Sequence, residues 1–235
     1  MSVQESCLSR GIKRCGYHVC VLGTIGSGKT TLTEALQKVL KERFGACEGL
    51  YEPVGENPWL ELFYKDKKKY AFEMQVYMLN RRLEQQRRAQ ANALCGVHSV
   101  QDSSLFGDSC FVEMLHRDGD LTDMQVDLYS SLFVNMSTDV MYPTLVVYLN
   151  CPASVAKRRI ERRGRECEKS IELKYLDDLN HEIGILCKDF QRYTFVKEIN
   201  AIPELTLKEI EAQANLIVDE LKLIRESPII SRMGV

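Results

Sequence analysis

The stretch GTIGSGKT at residues 23–30 decides the fold of this 235-residue chain, because it matches the pattern GxxxxGK[ST] at every fixed position. It lies between a short apolar run, residues 18–22 (HVCVL), and residues 30–44, whose apolar side chains recur at helical spacing. In a strand–loop–helix unit of this kind, glycines let consecutive backbone N–H groups point at phosphate oxygens beside the N-terminus of the helix. The stretch therefore predicts a binding site for a nucleoside triphosphate.

The residue types of this loop indicate how the phosphates are held. We expect Lys29 to neutralise charge on the β- and γ-phosphates and Thr30 to ligate Mg²⁺. The motif alone does not separate a kinase from a GTPase or a motor protein, so other parts of the chain have to identify the acceptor. The residues predicted to bind the nucleotide are Gly23, Gly26, Ser27, Gly28, Lys29, Thr30 and Thr31.

Composition argues against several classes of function. With 45% hydrophobic residues, 27% charged residues and a net charge of −2, the chain is not expected to be disordered or to bind nucleic acid, and we expect a small-molecule partner. The nine cysteines lack metal-finger spacing and are expected to be reduced thiols in a cytoplasmic protein. No apolar run approaches the ~18 residues of a membrane span, so no membrane partner is expected. We expect residues 1–16 to be a flexible tail and residues 17–235 to be a single domain.

Short apolar runs alternate with helical patterns along the rest of the chain. Continuous apolar strands between long helices are typical of a parallel sheet with helices on both faces, so the predicted fold class is α/β. The strands predicted after residues 18–22 are residues 97–100 and 144–149. The helices predicted after residues 30–44 are residues 64–93, 122–140, 154–163 and 206–224.

Five motifs occur in one order along the chain: GTIGSGKTT, YEPV, FYKDKKKYAFEMQVYMLNRR, QDSSLFGD and RRIERRGRECE. In order and spacing this set resembles the deoxynucleoside kinase family, in particular its bacterial and viral deoxyadenosine, deoxyguanosine and deoxycytidine kinases. The resemblance covers about residues 19–179. It implies a P-loop kinase fold with an arginine-rich lid at about residues 159–170. It also implies transfer of the γ-phosphate of ATP, or of another triphosphate, with Mg²⁺ to the 5′-hydroxyl of a deoxynucleoside in nucleotide salvage.

The resemblance also assigns catalytic roles. Glu52, in YEPV, corresponds to the general base for the 5′-hydroxyl, and a carboxylate at the end of a sheet strand and stiffened by Pro53 suits that role, because positioning supplies most of the rate in phosphoryl transfer. The arginines of RRIERRGRECE correspond to the lid, whose guanidinium groups suit phosphate oxygens. The predicted catalytic residues are Glu52, Lys29, Arg159, Arg163 and Arg165.

A second group of residues corresponds to those that bind the nucleoside. Gln75 matches a glutamine that pairs with the edge of the base, and Tyr64 a tyrosine that binds the 3′-hydroxyl. Gln75 and Arg82 are seven positions apart, so on a helix they share one face about 10 Å from each other. The resemblance of the pair Arg82 and Asp108 implies a preference for purines or deoxycytidine over thymidine. The predicted substrate-binding residues are Tyr64, Gln75, Arg82, Asp108, Phe111 and Glu168.

The segment QDSSLFGD departs from the family pattern of an acidic residue, an arginine and a serine. Asp102 matches the acidic residue, which with Thr30 would hold Mg²⁺, but the arginine is replaced by Ser103. Loss of a cation that stabilises transition-state charge could cost several kcal/mol unless another group replaces it. Three explanations stay open: Lys65, Arg81, Arg82 or a lid arginine reaches in; the enzyme is slow; or the chain is a catalytically weakened nucleotide-binding subunit.

Two further expectations concern the acceptor and the oligomer. A nucleoside monophosphate kinase would need cations for an acceptor phosphate, where this sequence has Gln75 and Tyr64, so we rank that function last. Residues 74–83 and 122–140 carry more apolar residues than one core face needs, which suggests a buried face between subunits. A homodimer is therefore expected, as the resemblance also implies.

Overall fold

The computed structural model describes residues 15–52, 56–201 and 206–226, so the predicted tail at residues 1–16 lies almost entirely outside the described residues. The strands within them are β1 His18–Gly23, β2 Cys47–Tyr51, β3 His98–Asp102, β4 Leu145–Asn150 and β5 Phe195–Asn200. The helices within them are α1 Lys29–Phe44, α2 Leu60–Lys65, α3 Lys67–Leu94, α4 Asp108–Arg117, α5 Asp123–Ser137, α6 Ala153–Arg163, α7 Leu173–Phe190 and α8 Leu207–Glu226.

The strands form one parallel sheet in the order β2-β3-β1-β4-β5. Helices α1 and α8 pack on each other, and α4 packs between α3 and α7. Strands β1 and β3 and nearly all of β4 are buried, as a parallel sheet covered on both faces requires. The predicted α/β fold with helices on both faces of a parallel sheet is confirmed. Among the described helices, none has the length and apolar character needed to cross a bilayer.

The prediction of one continuous helix over residues 64–93 is wrong, because Asp66 separates α2 from α3. Asp66 has a non-helical backbone, with φ −150° and ψ 85°. Its side chain accepts a hydrogen bond of 3.2 Å from the backbone N–H of Lys69. An aspartate with this bond caps the helix that follows it, so the chain starts a new helix at Lys67.

Four described elements, β2, α4, α7 and β5, have no counterpart among the predicted ranges, although the role given to Glu52 implied a strand that ends before it. β5 lies at the edge of the sheet, and its residues are half-buried or exposed, so it lacks the continuous apolar run that identifies the other strands. In α7, the buried residues Leu176, Leu179 and Ile183 recur at helical spacing. That pattern could have identified α7 from the sequence.

All five parallel strands end at the same edge of the sheet, and this edge carries the chemically important residues. The loop 23–28 follows β1, Glu52 follows β2, and Asp102 ends β3. The register pairs Val21 of β1 and Tyr51 of β2 with Asp102. The loop, the glutamate and the aspartate therefore lie side by side at the position where open parallel sheets bind ligands.

Inside the sheet, His18 is a buried titratable group. Its Nε2–H donates to Oε1 of Gln101 at 3.0 Å. Burial lowers the pKa of His18 from 6.5 to about 4, against the smaller opposite effect of the bond to Gln101. The unfolded chain binds a proton near pH 6.5 and the folded protein does not, so the stability due to neutral His18 is present above that pH and is lost as the pH falls towards 4.

We therefore expect a His18→Gln variant to be less sensitive to acid. Between pH 7 and pH 4 the unmodified protein should lose about 3 kcal/mol more unfolding free energy than the variant, as measured by urea denaturation at each pH. His181→Gln, which removes an exposed histidine, is the matched control and should keep the unmodified pH dependence. Parallel curves for the unmodified protein and His18→Gln would contradict the prediction.

Candidate active site

The loop between β1 and α1 is shaped by glycines with a left-handed backbone. Gly26 has φ 79° and Gly28 has φ 100°. A Cβ atom at Gly26 would lie 2.6 Å from the carbonyl oxygen of Ala156, so a side chain is excluded there. Helix α1 begins at Lys29, directly after the loop, and the hydroxyl of Ser27 is buried with no hydrogen-bond partner among the described residues. A helix N-terminus beside an unsatisfied hydroxyl fits a phosphate group.

A cavity of about 750 Å³ lies over this loop. Lys29 folds across the loop, where its Nζ donates to the carbonyl oxygens of Gly23 and Thr24 at 3.0 Å each. Gly23 does not line the cavity, whereas the other predicted nucleotide-binding residues line it together with the three lid arginines. The predicted residues in the lining are Gly26, Ser27, Gly28, Lys29, Thr30, Thr31, Arg159, Arg163 and Arg165.

Thr30 and Asp102 bring two oxygen atoms together beside the loop. The Thr30 hydroxyl donates to Oδ2 of Asp102 at 2.6 Å. Burial raises the pKa of Asp102; Lys29 opposes this rise, and the charge of Glu52 adds to it. Mg²⁺ prefers oxygen ligands and binds few protein groups when phosphates complete its coordination. The pair therefore fits the predicted metal site.

A second cavity, of about 430 Å³, opens at the end of β2. It shares Gly26, Lys29, Thr30, Arg163 and Arg165 with the cavity over the loop, so the two meet at the lysine and the threonine of the motif. The structure brings nearly all of the predicted acceptor-side residues into its lining. Those residues are Glu52, Tyr64, Gln75, Arg82, Asp102, Phe111, Arg163, Arg165 and Glu168.

Glu52 is held by Arg82. The guanidinium donates from Nε at 2.9 Å and from Nη2 at 2.5 Å, and both bonds go to Oε1 of Glu52. The guanidinium also lies 5.3 Å from the ring centroid of Phe111. Pro53 lies outside the described residues, so stiffening of Glu52 by Pro53 stays a prediction. The contact that orients Glu52 in the structure is the one with Arg82.

Asp108 is completely buried behind the cavity wall. Its Oδ1 accepts a hydrogen bond from Nη1 of Arg82, and its Oδ2 accepts one of 2.6 Å from the hydroxyl of Tyr129. Burial raises the pKa of Tyr129, so the phenol stays a donor. The predicted pairing of Arg82 with Asp108 is present, and Tyr129, which the sequence reasoning missed, completes it.

Gln75 and Tyr64 present polar atoms to the same cavity. Gln75 is buried, and its Oε1 has no hydrogen-bond partner among the described residues. An amide oxygen in this state costs free energy until a donor reaches it. Burial raises the pKa of Tyr64 well above its usual value, with the charges of Tyr175 and Glu168 adding to the rise, so its hydroxyl remains protonated and can donate.

Of the three lid arginines, Arg159 lines only the cavity over the loop, whereas Arg163 and Arg165 line both cavities. Arg159 donates from Nη1 to the carbonyl oxygen of Ser27 at 2.7 Å and lines the cavity over the loop. Arg163 and Arg165 each donate to the buried carboxylate of Glu168 at 3.1 Å. The sugar-binding candidate Glu168 and two candidate phosphate ligands thus form one cluster at the junction of the cavities. Whether residues 159–170 move as a lid stays a prediction.

Sequence reasoning missed several residues of the cavity wall. Met74 and Met78 line it, and Asn57 donates from Nδ2 to their sulfur atoms at 3.3 and 3.5 Å. The two methionines are four positions apart, and Met74 is next to Gln75, so helical spacing could have identified them. Glu56 is exposed, as expected of a surface charge, but it also lies on the rim of this cavity.

The motif at residues 102–104, which lacks the arginine, begins at the last residue of β3. Ser103 is buried, and Ser104 accepts a hydrogen bond of 3.2 Å from the backbone N–H of Phe106, which starts a short 3-10 helix, Leu105–Gly107. Of the side chains considered as replacements, Lys65 is exposed and Arg81 donates to Glu84 at 2.9 Å. Arg82 is the one that contacts Glu52.

Comparison with known proteins identifies this architecture. The family model described as deoxynucleoside kinase matches residues 19–224. The chain belongs to the deoxynucleoside kinase family. Members of this family are phosphotransferases, so the chain is an enzyme of that class, and the expected resemblance is confirmed.

Individual members of the deoxynucleoside kinase family agree with this assignment. Deoxyadenosine kinase of Dictyostelium discoideum is 39% identical over 185 residues, which are 79% of this chain and 72% of the relative. Deoxyadenosine/deoxycytidine kinase of Bacillus subtilis is 32% identical over 194 residues, 81% of each chain. A solved structure of deoxyadenosine kinase from M. mycoides with bound dCTP superposes with a TM-score of 0.71 at 28% identity, covering 87% of this chain and 98% of the other. The P-loop kinase fold is confirmed.

Removal of Arg82 tests the strength of the buried network. Arg82→Met leaves the carboxylate of Asp108 buried without its cation, so we expect the free energy of unfolding, measured in urea, to fall by about 3 kcal/mol. Adding Asp108→Asn to this variant removes the buried charge and should recover part of the loss.

Arg81→Met is the matched control for this prediction. It removes a guanidinium that pairs with Glu84 on the exposed side of the same helix, so its urea midpoint should equal that of the unmodified protein. Equal midpoints for Arg82→Met and Arg81→Met would show that the network carries no stability.

Proposed function

We propose that this kinase transfers the γ-phosphate of ATP, with Mg²⁺, to the 5′-hydroxyl of a deoxynucleoside. The observation that supports this most directly is the junction of the two cavities. The cavity over the phosphate loop suits a triphosphate, the smaller cavity suits a nucleoside, and they share Lys29 and Thr30. Glu52 lines the smaller cavity, so its carboxylate is on the acceptor side of the junction.

In the proposed reaction, Glu52 accepts the proton of the 5′-hydroxyl as the oxygen attacks the γ-phosphorus in line. The bond between the γ-phosphorus and the β,γ-bridging oxygen breaks, and ADP is the leaving group. Lys29 binds the β- and γ-phosphates, and Arg163 and Arg165 turn from Glu168 towards the transferred group, where guanidinium forks match phosphate oxygens. Thr30 and Asp102 hold Mg²⁺, which neutralises phosphate charge when it is bound. Closing residues 159–170 over this site would exclude water.

The nucleoside is oriented by groups that the cavity leaves available. Tyr64 donates to the 3′-hydroxyl, Glu168 accepts from the sugar, and Gln75 pairs with the edge of the base, whose donor satisfies the buried Oε1. We propose that purines and deoxycytidine are preferred over thymidine. Arg82, which is paired with the buried Asp108, lines the same cavity as Gln75, and a thymine methyl group placed against this guanidinium would cover a charge.

The proposal is tested by incubating the purified chain with MgATP and each of the four deoxynucleosides and measuring the monophosphates by chromatography. We expect product with deoxyadenosine, deoxyguanosine or deoxycytidine, and least with thymidine. The alternative, a nucleotide-binding subunit without turnover, is not favoured, because the family consists of kinases and a cation does contact Glu52. Binding of ATP without any monophosphate would overturn the proposed function.

Glu52→Gln isolates the general base. The amide keeps the size of the side chain but cannot accept the proton, so we expect kcat to fall by about 10²- to 10⁴-fold. Binding of the deoxynucleoside, measured by calorimetry, should stay within about threefold of the unmodified value, because the amide oxygen can still accept a hydrogen bond from the 5′-hydroxyl. Glu84→Gln, on the exposed side of α3, is the control and should keep full activity. A Glu52→Gln enzyme with most of its kcat would show that the base is another group.

We also propose that α5 forms the centre of a homodimer interface. Tyr129 is the single fully buried residue of this 15-residue helix, whereas Met124, Leu128 and Val134 are 80%, 52% and 63% exposed. Helix α5 differs from other helices with exposed apolar side chains in that it buries only one residue within its own chain, so it presents a surface that a partner can cover.

The oligomeric state tests this surface. Light scattering should give about twice the 26.9 kDa of the chain. Leu128→Glu should give monomers, because a charge would be buried in the interface. Leu216→Glu replaces an equally exposed leucine on α8 and should leave the dimer intact. A monomeric unmodified protein would reject the proposal.

A further inference from the structure

We propose that Arg82 replaces the arginine that the motif at residues 102–104 lacks, and that it positions Glu52 for catalysis while its remaining N–H groups face the nucleobase. This inference rests on the proposed function. It makes Arg82 a positioning residue for the general base in addition to its expected role in binding the substrate.

The topology explains why a replacement is needed at this point. Tyr51 and Asp102 are partners across β2 and β3, so Glu52 and Ser103 leave the sheet from neighbouring strand ends. A long cationic side chain at position 103 would start beside Glu52. Serine is too short to supply that charge, and Arg82 reaches Glu52 instead from α3, which packs over β3.

The contact is suited to a general base. Both donors of Arg82 bind Oε1 of Glu52, so this oxygen is held from two directions. Oε2 accepts no hydrogen bond from the described residues and remains available for a hydroxyl proton. A carboxylate fixed through one oxygen and open at the other has the geometry that general-base catalysis requires.

Arg82 is itself fixed at its other end. Nη1 is bound to Asp108, and Asp108 is bound to Tyr129, so the guanidinium lies between two carboxylates and over the ring of Phe111. A guanidinium has five N–H groups, and three of them are used in these contacts. The remaining two are available to acceptors in the cavity that Arg82 lines. Arg82 thereby contacts Glu52, which takes the proton, and lines the cavity proposed to hold the nucleobase.

Other cations near the site are engaged elsewhere. Arg163 and Arg165 bind Glu168, and Lys29 binds two carbonyl oxygens of the phosphate loop. Lys65 is exposed and Arg81 pairs with Glu84. Within the described residues, Arg82 is the cation in contact with Glu52.

The test moves the positive charge from Arg82 on α3 to position 103, directly after β3. Steady-state kinetics with MgATP and the best deoxynucleoside compare the unmodified enzyme, Arg82→Gln, Ser103→Arg and the double variant Arg82→Gln/Ser103→Arg. We expect Arg82→Gln to lose about 100-fold in kcat as well as to raise KM. Ser103→Arg alone should give no gain, because Glu52 already has its cation. The double variant should have a kcat at least about tenfold higher than that of Arg82→Gln, because the charge at position 103 can position Glu52. Its KM should still be raised, because that charge does not contact the nucleobase.

Controls separate this result from a loss of folding and from failure of the proposed function. Circular dichroism melts establish the temperature at which every variant is folded, and Arg81→Met should match the unmodified enzyme in kcat and KM. An Arg82→Gln enzyme with a raised KM and unchanged kcat would overturn the inference and leave the proposed function intact. A double variant no faster than Arg82→Gln would also overturn it, since a lost positioning charge should be restored from position 103. An unmodified chain without any turnover would reject the proposed function itself.

Discussion

The site depends on one constraint, that the strands of a parallel sheet all end at the same edge. β1 delivers the phosphate loop to this edge, β2 delivers Glu52, and β3 delivers Asp102. The strand order puts β3 between β2 and β1, so the Mg²⁺ candidate lies between the general-base candidate and the loop. Phosphoryl transfer needs little covalent chemistry from the protein, and fixed positions for the charges are the main requirement. The parallel sheet, whose strands β1 and β3 are buried, supplies those positions.

A second feature, the chain of buried charges from Tyr129 through Asp108 and Arg82 to Glu52, joins the helices to that edge. Buried ion pairs add little net stability compared with apolar packing, but breaking one is costly because a charge is left without its partner. The network is therefore better understood as a device for orientation than as a source of stability. It couples α3, α4 and α5 to the carboxylate that directly follows β2, so a continuous chain of contacts joins the helix where we propose dimerisation to Glu52.

Much of the fold and of the candidate site could be predicted from the sequence. The phosphate loop and the parallel sheet carry local patterns, whereas the residues of the acceptor cavity were identified through the resemblance to the deoxynucleoside kinase family. The spacing of Gln75 and Arg82 indicates only that they share one face of a helix. The break at Asp66 was missed because a capping aspartate looks like any exposed polar residue in a helical pattern. β5 was missed because an edge strand lacks a continuous apolar run.

The contact between Arg82 and Glu52 shows the limit of sequence reasoning more clearly. Arg82 was one of four candidates to replace the missing arginine, beside Lys65, Arg81 and a lid arginine. No local sequence pattern distinguishes a cationic side chain that points at Glu52 from one that points into solvent. Arg81 and Arg82 are adjacent, yet one is half-exposed and the other is buried, because α3 turns by about 100° per residue. Tyr129 comes from a different helix and has no motif at all.

The central claim is that the carboxylate of Glu52 faces the terminal phosphate across a space that holds a primary alcohol. The most direct measurement is a crystal structure with a deoxynucleoside and a non-hydrolysable ATP analogue. The account predicts the 5′-oxygen at about 3 Å from Oε2 of Glu52 and in line with the γ-phosphorus over Lys29. A 5′-oxygen bound away from Glu52, or a base in the place of the sugar, would contradict it.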